Sequence, residues 1–212
     1  MACQVIYTLN ALTLLKAHDD PAYAALLGRA DLSVVDGVGC AWALKRWTGK
    51  RVARVTGLEL IDALCAQCAQ AGLGVFLLGA RPGVAERAAG HLCRKFPGLR
   101  VAGVLDGIWP VAQEAQAVAQ VNASGAGLLL VALGQPRQEE FLDRQRENLQ
   151  VRMGLGVGGC FDVLSGDLNP APAWVRRAGW EWLFRLWQEP WRFRRVLSLP
   201  RFVFWVLSTK HL

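Results

Sequence analysis

Two carboxylates stand where a parallel sheet would present them to a ligand. Asp36 comes directly after the apolar run Leu32–Val35, and Asp162 follows the glycine-rich stretch 154–159. A carboxylate at the carboxyl end of a strand can act as a general base when its surroundings tune its pKa. It can equally cap the helix that follows, because Asp is a preferred N-cap residue. The residue types leave both interpretations of Asp36 open.

Three further polar residues follow apolar runs or lie close to one. Thr8 and Asn10 flank the end of the run at residues 5–8, and Arg54 precedes Glu59 by five positions. Thr and Asn side chains in such places often bond the nearby backbone of a turn. Arg54 can pair with Glu59, or its guanidinium can bind a phosphate group. Neither interpretation is excluded by the residue types.

Glycines mark two turns that come after apolar runs. Gly79 begins the stretch GARPG, whose backbone N–H groups can face an anion at the start of the next helix. The stretch is not a P-loop, because no Gly-Lys-Ser/Thr follows it. Gly134 begins a second turn, and we expect Gln138 in the first turn of the next helix, pointing toward the ligand edge of the sheet. The glycines of 154–159 fit either close backbone packing or the approach of a phosphate.

These residues are positioned by apolar runs that alternate with Ala-rich segments. The runs predict strands at 5–8, 32–35, 74–78, 100–105, 128–133 and 151–157, and the other segments predict helices at 21–29, 38–47, 58–71 and 111–122 and two that end near 96 and 147. Strands separated by helices predict a parallel sheet covered on both faces. We therefore expect an α/β fold, a three-layer α/β/α sandwich with a mostly parallel Rossmann-like sheet. Ligands of such sheets bind outside the carboxyl ends of the strands.

The charge is concentrated at one end of the chain. The formal net charge is +7, but residues 174–212 carry eight basic and two acidic side chains, Lys210 among them, against 16 and 15 in residues 1–173. The same tail holds six of the nine Trp. We therefore predict an α/β domain at 1–173 and a basic, Trp-rich helical appendage at 174–212. Its helices should break at Pro190 and Pro200, and Arg177, Glu181 and Arg185 should form one polar stripe.

The appendage has three candidate partners by composition alone. Basic residues and Trp both favour an anionic lipid surface. A packed helix pair with solvated arginines and a nucleic-acid surface are the alternatives. No apolar run reaches the roughly 18 residues of a spanning helix. No D-x-D or H-E-x-x-H motif indicates a metal or other cofactor, and the lone Cys65-x-x-Cys68 is more typical of reduced core cysteines.

Eight motifs follow one another in a familiar order. They are T-x-N at Thr8, D-G-x-G at Asp36, R-V-x-G-x-[DE] at Arg54, F-L-L-G-A-x-P-G at Phe76, A-L-G-x-P-x-Q-E at Ala132, G-V-G-G-x-F-D-x-L-S-G at Gly156, A-P-x-W at Ala171 and G-x-E-W-L-x-R-L-x-x-E-P-x-R at Gly179. Together they resemble the WecG/TagA/CpsF glycosyltransferases over about residues 5–205.

The resemblance implies an inverting, metal-independent enzyme of cell-surface polysaccharide synthesis. Such an enzyme moves a ManNAc-type or related sugar from a UDP-sugar to a polyprenyl-diphosphate-linked acceptor. It works as a peripheral protein on the cytoplasmic face of the membrane. The resemblance thus favours an anionic membrane surface over nucleic acid as partner, with a second copy of the chain as a further candidate.

The resemblance also implies roles for residues at matching positions. Asp36 resembles the catalytic base, and Asp162 the ribose contact. The other implied active-site residues are Thr8, Asn10, Arg54 and Gln138, and the implied substrate-binding residues are Gly79, Gly134, Arg185, Arg192 and Arg195.

Two features differ from the family pattern. Members of the family extend further before T-x-N, so we expect a short amino-terminal edge here, and Glu59 replaces the more common Asp. A UDP-binding membrane-surface protein with impaired catalysis is therefore the alternative function.

Overall fold

Six strands form one parallel sheet in the computed structural model, which describes residues 2–209 of the chain. Lys210 and the rest of the chain end lie outside these residues. The strands are β1 (Gln4–Leu9), β2 (Leu32–Val35), β3 (Gly74–Gly79), β4 (Arg100–Leu105), β5 (Ala126–Ala132) and β6 (Met153–Gly156), in the order β2-β1-β6-β5-β3-β4. The parallel sheet and its crossover helices confirm the predicted three-layer, Rossmann-like α/β fold.

Helices connect and follow the strands. They are α1 (Ala11–Asp19), α2 (Pro21–Leu27), α3 (Val38–Thr48), α4 (Gly57–Ala71), α5 (Val84–Lys95), α6 (Glu114–Ala123), α7 (Arg137–Gln145), α8 (Cys160–Leu164), α9 (Ala173–Ala178), α10 (Glu181–Gln188), α11 (Phe193–Val196) and α12 (Leu199–Ser208), with short 3-10 turns at Val111–Gln113 and Pro190–Arg192. No helix within 2–209 combines the length and apolar character needed to cross a bilayer.

The central strands are apolar because both of their faces are covered. Every residue of β3 is buried, and β5 is buried except for Gly127. Strands of this kind lack the alternation of polar and apolar residues that marks a half-exposed strand. This continuous burial is why β3 and β5 can be predicted closely from the sequence.

The chain divides into two compact units. The first, called the sheet unit, contains residues 2–8, Leu26–Ser33 and Gly57–Leu168. The second, called the appendage unit, contains Leu9–Ala25, Val34–Thr56 and residues 169–209. The predicted domain boundary between residues 173 and 174 stays a prediction.

The appendage unit has an apolar core of its own. Phe202 and Val206 of α12 are buried against Leu15 of α1 and Ala43 and Trp47 of α3. Burying an aromatic side chain such as Phe202 stabilises a fold by roughly 1.5–3 kcal/mol. An ion pair between Arg201 and Asp19, with its closest N–O distance at 2.6 Å, adds a polar contact. Helix α12 is thereby fastened to α1 and α3.

The helices differ from the sequence predictions at several points. Helix α1 was not predicted at all. The stripe of Arg177, Glu181 and Arg185 does not run along one helix, because Gly179 ends α9 with φ at 75°, a left-handed conformation that favours glycine. The break near Pro200 falls two residues earlier, since Pro200 occupies the first turn of α12, where its missing N–H costs nothing.

Candidate active site

Thr8 and Gln138 in the sheet unit bond the end of β6 and the loop that follows it. The Thr8 hydroxyl donates to the Gly156 carbonyl at 3.1 Å, and Gln138 Oε1 accepts from the Gly158 N–H at 2.9 Å. Thr8 is 6% exposed and Gln138 is 1% exposed. Buried polar groups of this kind are held firmly, because breaking such a bond leaves an unpaired group away from water. The structure therefore brings these two predicted site residues to the carboxyl end of β6.

Gln138 lies in the first turn of α7, as predicted, and its second contact is with a buried acid. Its Nε2 donates to Oε1 of Glu139 at 2.7 Å, and Glu139 is fully buried. A Cβ at Gly156 would sit only 3.0 Å from Gln138 Nε2. Gly156 is therefore needed for the close approach of the Gln138 amide to β6.

The turn at Gly79 has a backbone shape that only glycine adopts easily. Its φ is 121°, and an added Cβ would lie 2.5 Å from the Ala132 carbonyl of β5. The next N–H, that of Ala80, donates to the same carbonyl at 2.9 Å. The sheet thus uses this N–H, and an anion at the turn would have to bind other donors.

Gly134 makes the corresponding turn after β5. It also has a positive φ, 76°, and its carbonyl accepts from the Gln138 N–H at 2.9 Å at the start of α7. The Gln135–Pro136 peptide bond that follows is cis. No atom lies within 4 Å of a Cβ built on Gly134, so the turn has open space beside it.

Asp162 belongs to a chain of ion pairs that sequence reasoning missed. Its Oδ1 lies 3.6 Å from Nη2 of Arg81, which also reaches Asp167 at 3.5 Å. Arg87 of α5 pairs with the same Asp167 at 2.7 Å. Arg81 stands in the Gly79 turn, so this turn and α8 are linked through Asp162. No spacing pattern could reveal this contact, because Arg81 and Asp162 are distant in sequence.

Asn10 and Asp36 come together in the appendage unit. The Asn10 side chain accepts from the N–H groups of Leu12 and Thr13 and so caps α1, which confirms the turn interpretation of this residue. The N–H of Asp36 donates to the Leu9 carbonyl at 2.9 Å, and a Cβ on Gly37 would lie 3.2 Å from Cβ of Asn10. The Asp36-Gly37 turn therefore packs directly against Asn10.

Asp36 directly follows β2 in a half-buried position. Gly37 occupies the N-cap of α3, so the interpretation of Asp36 as the N-cap residue is wrong by one position. Burial raises the pKa of the Cys40 thiol to about 11, and the negative charge of Asp36 acts in the same direction. The residue is thus a partly buried carboxylate two positions before the start of α3.

Arg54 pairs with an acid of the appendage. Its Nη1 bonds Oε2 of Glu181, and its Nη2 donates to the Arg176 carbonyl at 3.3 Å. The sequence suggested Glu59 as its partner or else a phosphate. The structure instead joins the loop before α4 to the start of α10 through this guanidinium.

The three predicted substrate-binding arginines of the appendage form one cluster. Arg185 and Arg192 both form ion pairs with Glu189, with Nε–Oε2 distances of 3.1 and 2.6 Å. Burial holds the pKa of Arg192 below its ordinary value, Arg185 and Arg195 lower it further, and Glu189 opposes them. Sequence reasoning missed Glu189, although its spacing from the two arginines, four and three residues, is typical of helical ion pairs.

The predicted site residues thus fall into two sets. The sheet unit holds Thr8, Gly79, Gly134, Gln138 and Asp162, and the appendage unit holds Asn10, Asp36, Arg54, Arg185, Arg192 and Arg195. Within residues 2–209, no three His, Cys, Asp or Glu side chains are arranged to hold a metal ion. The first set is mostly uncharged and the second is mostly charged.

A comparison with known families gives one match over almost the whole chain. The family model described as Glycosyl transferase WecG/TagA/CpsF family matches residues 2–211. The match spans every residue of both sets.

Proposed function

Because the chain belongs to the WecG/TagA/CpsF glycosyltransferase family, we propose that it transfers a sugar from a UDP-sugar to a polyprenyl-diphosphate-linked acceptor. Family membership supports a role in the synthesis of cell-surface polysaccharides. The observation that carries the finer proposal is the half-buried Asp36, which directly follows β2 and whose neighbour Gly37 packs against Asn10, in a unit that also holds the arginine cluster.

Asp36 is the general base of the proposed reaction. It removes the proton from an acceptor hydroxyl as that oxygen attacks the anomeric carbon of the donor sugar. The bond from this carbon to the diphosphate oxygen breaks on the opposite face, so the configuration inverts and UDP leaves with the electron pair. Asp36 receives the single proton that the acceptor loses.

Arginine side chains compensate the charge of the leaving diphosphate. Guanidinium groups bind phosphate oxygens through paired N–H donors, and charge that develops in a transition state is stabilised best by groups already in place. Arg54 and the cluster of Arg185, Arg192 and Arg195 are the candidates in the appendage unit. Arg54 is fixed by Glu181, which supports a preset orientation.

Residues of the sheet unit serve the donor in two ways. Asp162 is the proposed contact of the nucleotide ribose, and the turns at Gly79 and Gly134 are proposed nucleotide contacts. Thr8 and Gln138 are buried, so we assign them to holding the loop after β6 in shape.

The appendage presents an apolar and basic surface suited to an anionic membrane. Within 169–209 the most exposed large apolar side chains are Trp187 and Phe204, at 76% and 74%. Packing within the unit accounts for Phe202 and Val206 but not for these residues. Trp favours the headgroup region, and each nearby basic residue contributes roughly 1 kcal/mol of attraction to anionic lipid.

The membrane proposal predicts that Trp187→Ser combined with Phe204→Ser weakens binding to vesicles containing anionic lipid by about tenfold, because apolar area no longer enters the interface. Vesicle co-sedimentation at low salt measures it. Ile108→Ser is the matched control, since Ile108 is 69% exposed on the sheet unit and its loss should change nothing. Equal loss in both variants would contradict the proposed surface.

The donor is tested with a panel of UDP-sugars. Each is offered with polyprenyl-diphosphate-linked GlcNAc analogues in anionic vesicles, and UDP release is measured. We expect acceptor-dependent release from one donor class. Binding of UDP without release from any UDP-sugar would support the alternative of a UDP-binding protein with impaired catalysis.

A further inference from the structure

One buried carboxylate holds two of the appendage arginines. Glu189 is only 7% exposed; its Oε2 accepts a hydrogen bond from Nε of Arg185 at 3.1 Å and forms an ion pair with Arg192, whose Nε lies 2.6 Å away. Acids are rarely this buried unless they are paired. A single oxygen that serves two guanidinium groups fixes the distance between them.

The backbone reinforces this arrangement. Helix α10 ends at Gln188 because Pro190 cannot continue it, and Glu189 is its C-cap residue. The Glu189 N–H donates to the Arg185 carbonyl at 2.9 Å, and the Arg192 N–H donates to the Glu189 carbonyl at 3.0 Å. Main chain and side chain therefore tie the same three residues together.

The cluster carries more positive than negative charge. Glu189 neutralises one of the two guanidinium groups that it bonds, and Arg195 is close enough to lower the pKa of Arg192. Partly buried charge of one sign is costly, and an anion of opposite charge relieves that cost. Two guanidinium groups at a fixed spacing suit a diphosphate, which offers several oxygens at once.

We propose that Glu189 is a positioning residue that sets Arg185 and Arg192 as one preformed pair for the diphosphate of the donor nucleotide. This inference rests on the proposed function and deepens it. Glu189 does not touch the nucleotide; it acts only through the two arginines. Its own negative charge opposes anion binding, so it can favour binding only by orienting the two arginines.

Charge and geometry predict opposite changes in UDP affinity when Glu189 is replaced. Glu189→Gln removes a negative charge from beside the anion site, so charge alone predicts tighter binding of UDP. If Glu189 positions the arginines, the variant binds UDP more weakly, with a dissociation constant raised about tenfold because the pair is no longer preset. Titration calorimetry of the full chain with UDP and with inorganic diphosphate measures both ligands.

Two variants show whether the effect passes through the arginines. In an Arg192→Ala background, Glu189→Gln should change UDP binding by less than about twofold, because coupled residues are not additive. Glu147→Gln removes the same charge from an exposed position in the sheet unit and should leave binding unchanged. Where thermal unfolding shows that Glu189→Gln does not fold, Glu189→Asp keeps the charge, shortens the side chain and should still weaken binding.

The outcomes separate this inference from the function on which it rests. UDP binding that is equal or tighter in Glu189→Gln, with native binding intact, overturns the positioning role alone. Native binding of inorganic diphosphate but not of UDP, weakened by Glu189→Gln, supports positioning and overturns the UDP-sugar proposal. Native protein that binds neither ligand overturns both.

Discussion

The two units of the chain hold candidate residues of different character. In the sheet unit, Thr8 and Gln138 are uncharged, almost fully buried and bonded to the backbone at and just after the end of β6. In the appendage unit, Asp36 and Arg54 are charged and only partly buried. The comparison teaches that the neutral groups fix local backbone shape, whereas the groups to which we assign proton transfer and charge compensation keep access to solvent.

The units also differ in where they bury and where they expose apolar side chains. The sheet unit buries its apolar strands between helices, and β3 is covered completely. The appendage unit buries one face of α12 and leaves Trp187, Trp191 and Phe204 exposed. These exposed aromatic side chains are the observation behind the proposed membrane surface.

The largest expected effect on turnover comes from replacing Asp36 in the appendage unit. We expect Asp36→Asn to lower kcat about 1000-fold, because an amide cannot accept the acceptor proton and general bases contribute on this scale. UDP affinity and the free energy of unfolding should stay near native values. Steady-state kinetics and UDP titration measure the two effects.

Asp20→Asn is the control for Asp36→Asn. Asp20 lies in the same unit, where it accepts from the N–H groups at the start of α2. The control removes an equal charge and should keep kcat within about twofold of native. Native turnover in Asp36→Asn would show that Asp36 is not the general base.

Arg54→Lys should have the second largest effect on turnover. Lysine keeps the charge but loses the planar fork, so we expect kcat to fall about 100-fold as the leaving diphosphate loses a preset donor pair. Glu181→Gln should produce a smaller fall in kcat, since it frees Arg54 without removing it. Equal kcat in the native protein, Arg54→Lys and Glu181→Gln would show that Arg54 serves only to bond α10.

Gln138→Leu tests the structural role of a buried polar residue in the sheet unit. The change removes the hydrogen bonds of the Gln138 side chain with the Gly158 N–H and the buried Glu139 carboxylate. The free energy of unfolding should therefore fall by about 2 kcal/mol. Urea denaturation measures it, and Gln120→Leu, at an exposed position of α6, serves as control. A large loss of turnover with native stability would make Gln138 a catalytic residue instead.

Asp31 gives the smallest expected effect and tests stability apart from the site. The Val5 N–H, at 2.7 Å, holds the pKa of the Asp31 carboxyl below its usual range, and Arg146 adds to this. Its stabilisation is therefore present above the unfolded pKa and is lost as the pH falls through the folded pKa. Asp31→Ala should cost about 1 kcal/mol at neutral pH, after allowance for its exposure.

The measurement for Asp31 is thermal unfolding across the acid range. The difference between Asp31→Ala and native protein should shrink as the pH falls below about 4. A difference that is constant with pH would show that the carboxylate charge plays no part, and turnover at neutral pH should be native throughout.

The sequence predicts the sheet well because β3 and β5 are apolar runs bounded by glycines. It does not predict α1, whose short segment holds a β-branched Thr13 and depends on the cap at Asn10 and on packing against α12. The Arg54–Glu181 contact joins residues 127 positions apart, so no local pattern encodes it. The Glu189 cluster is different, because its helical spacing was readable in the sequence.

The most direct test of the central claim is UDP release by the full chain with the best donor, measured with and without the polyprenyl-diphosphate-linked acceptor in native protein and Asp36→Asn. We predict acceptor-dependent release by the native chain and almost none by the variant, although both bind UDP. Release by Asp36→Asn at the native rate, or UDP binding without release by the native chain, would contradict the claim.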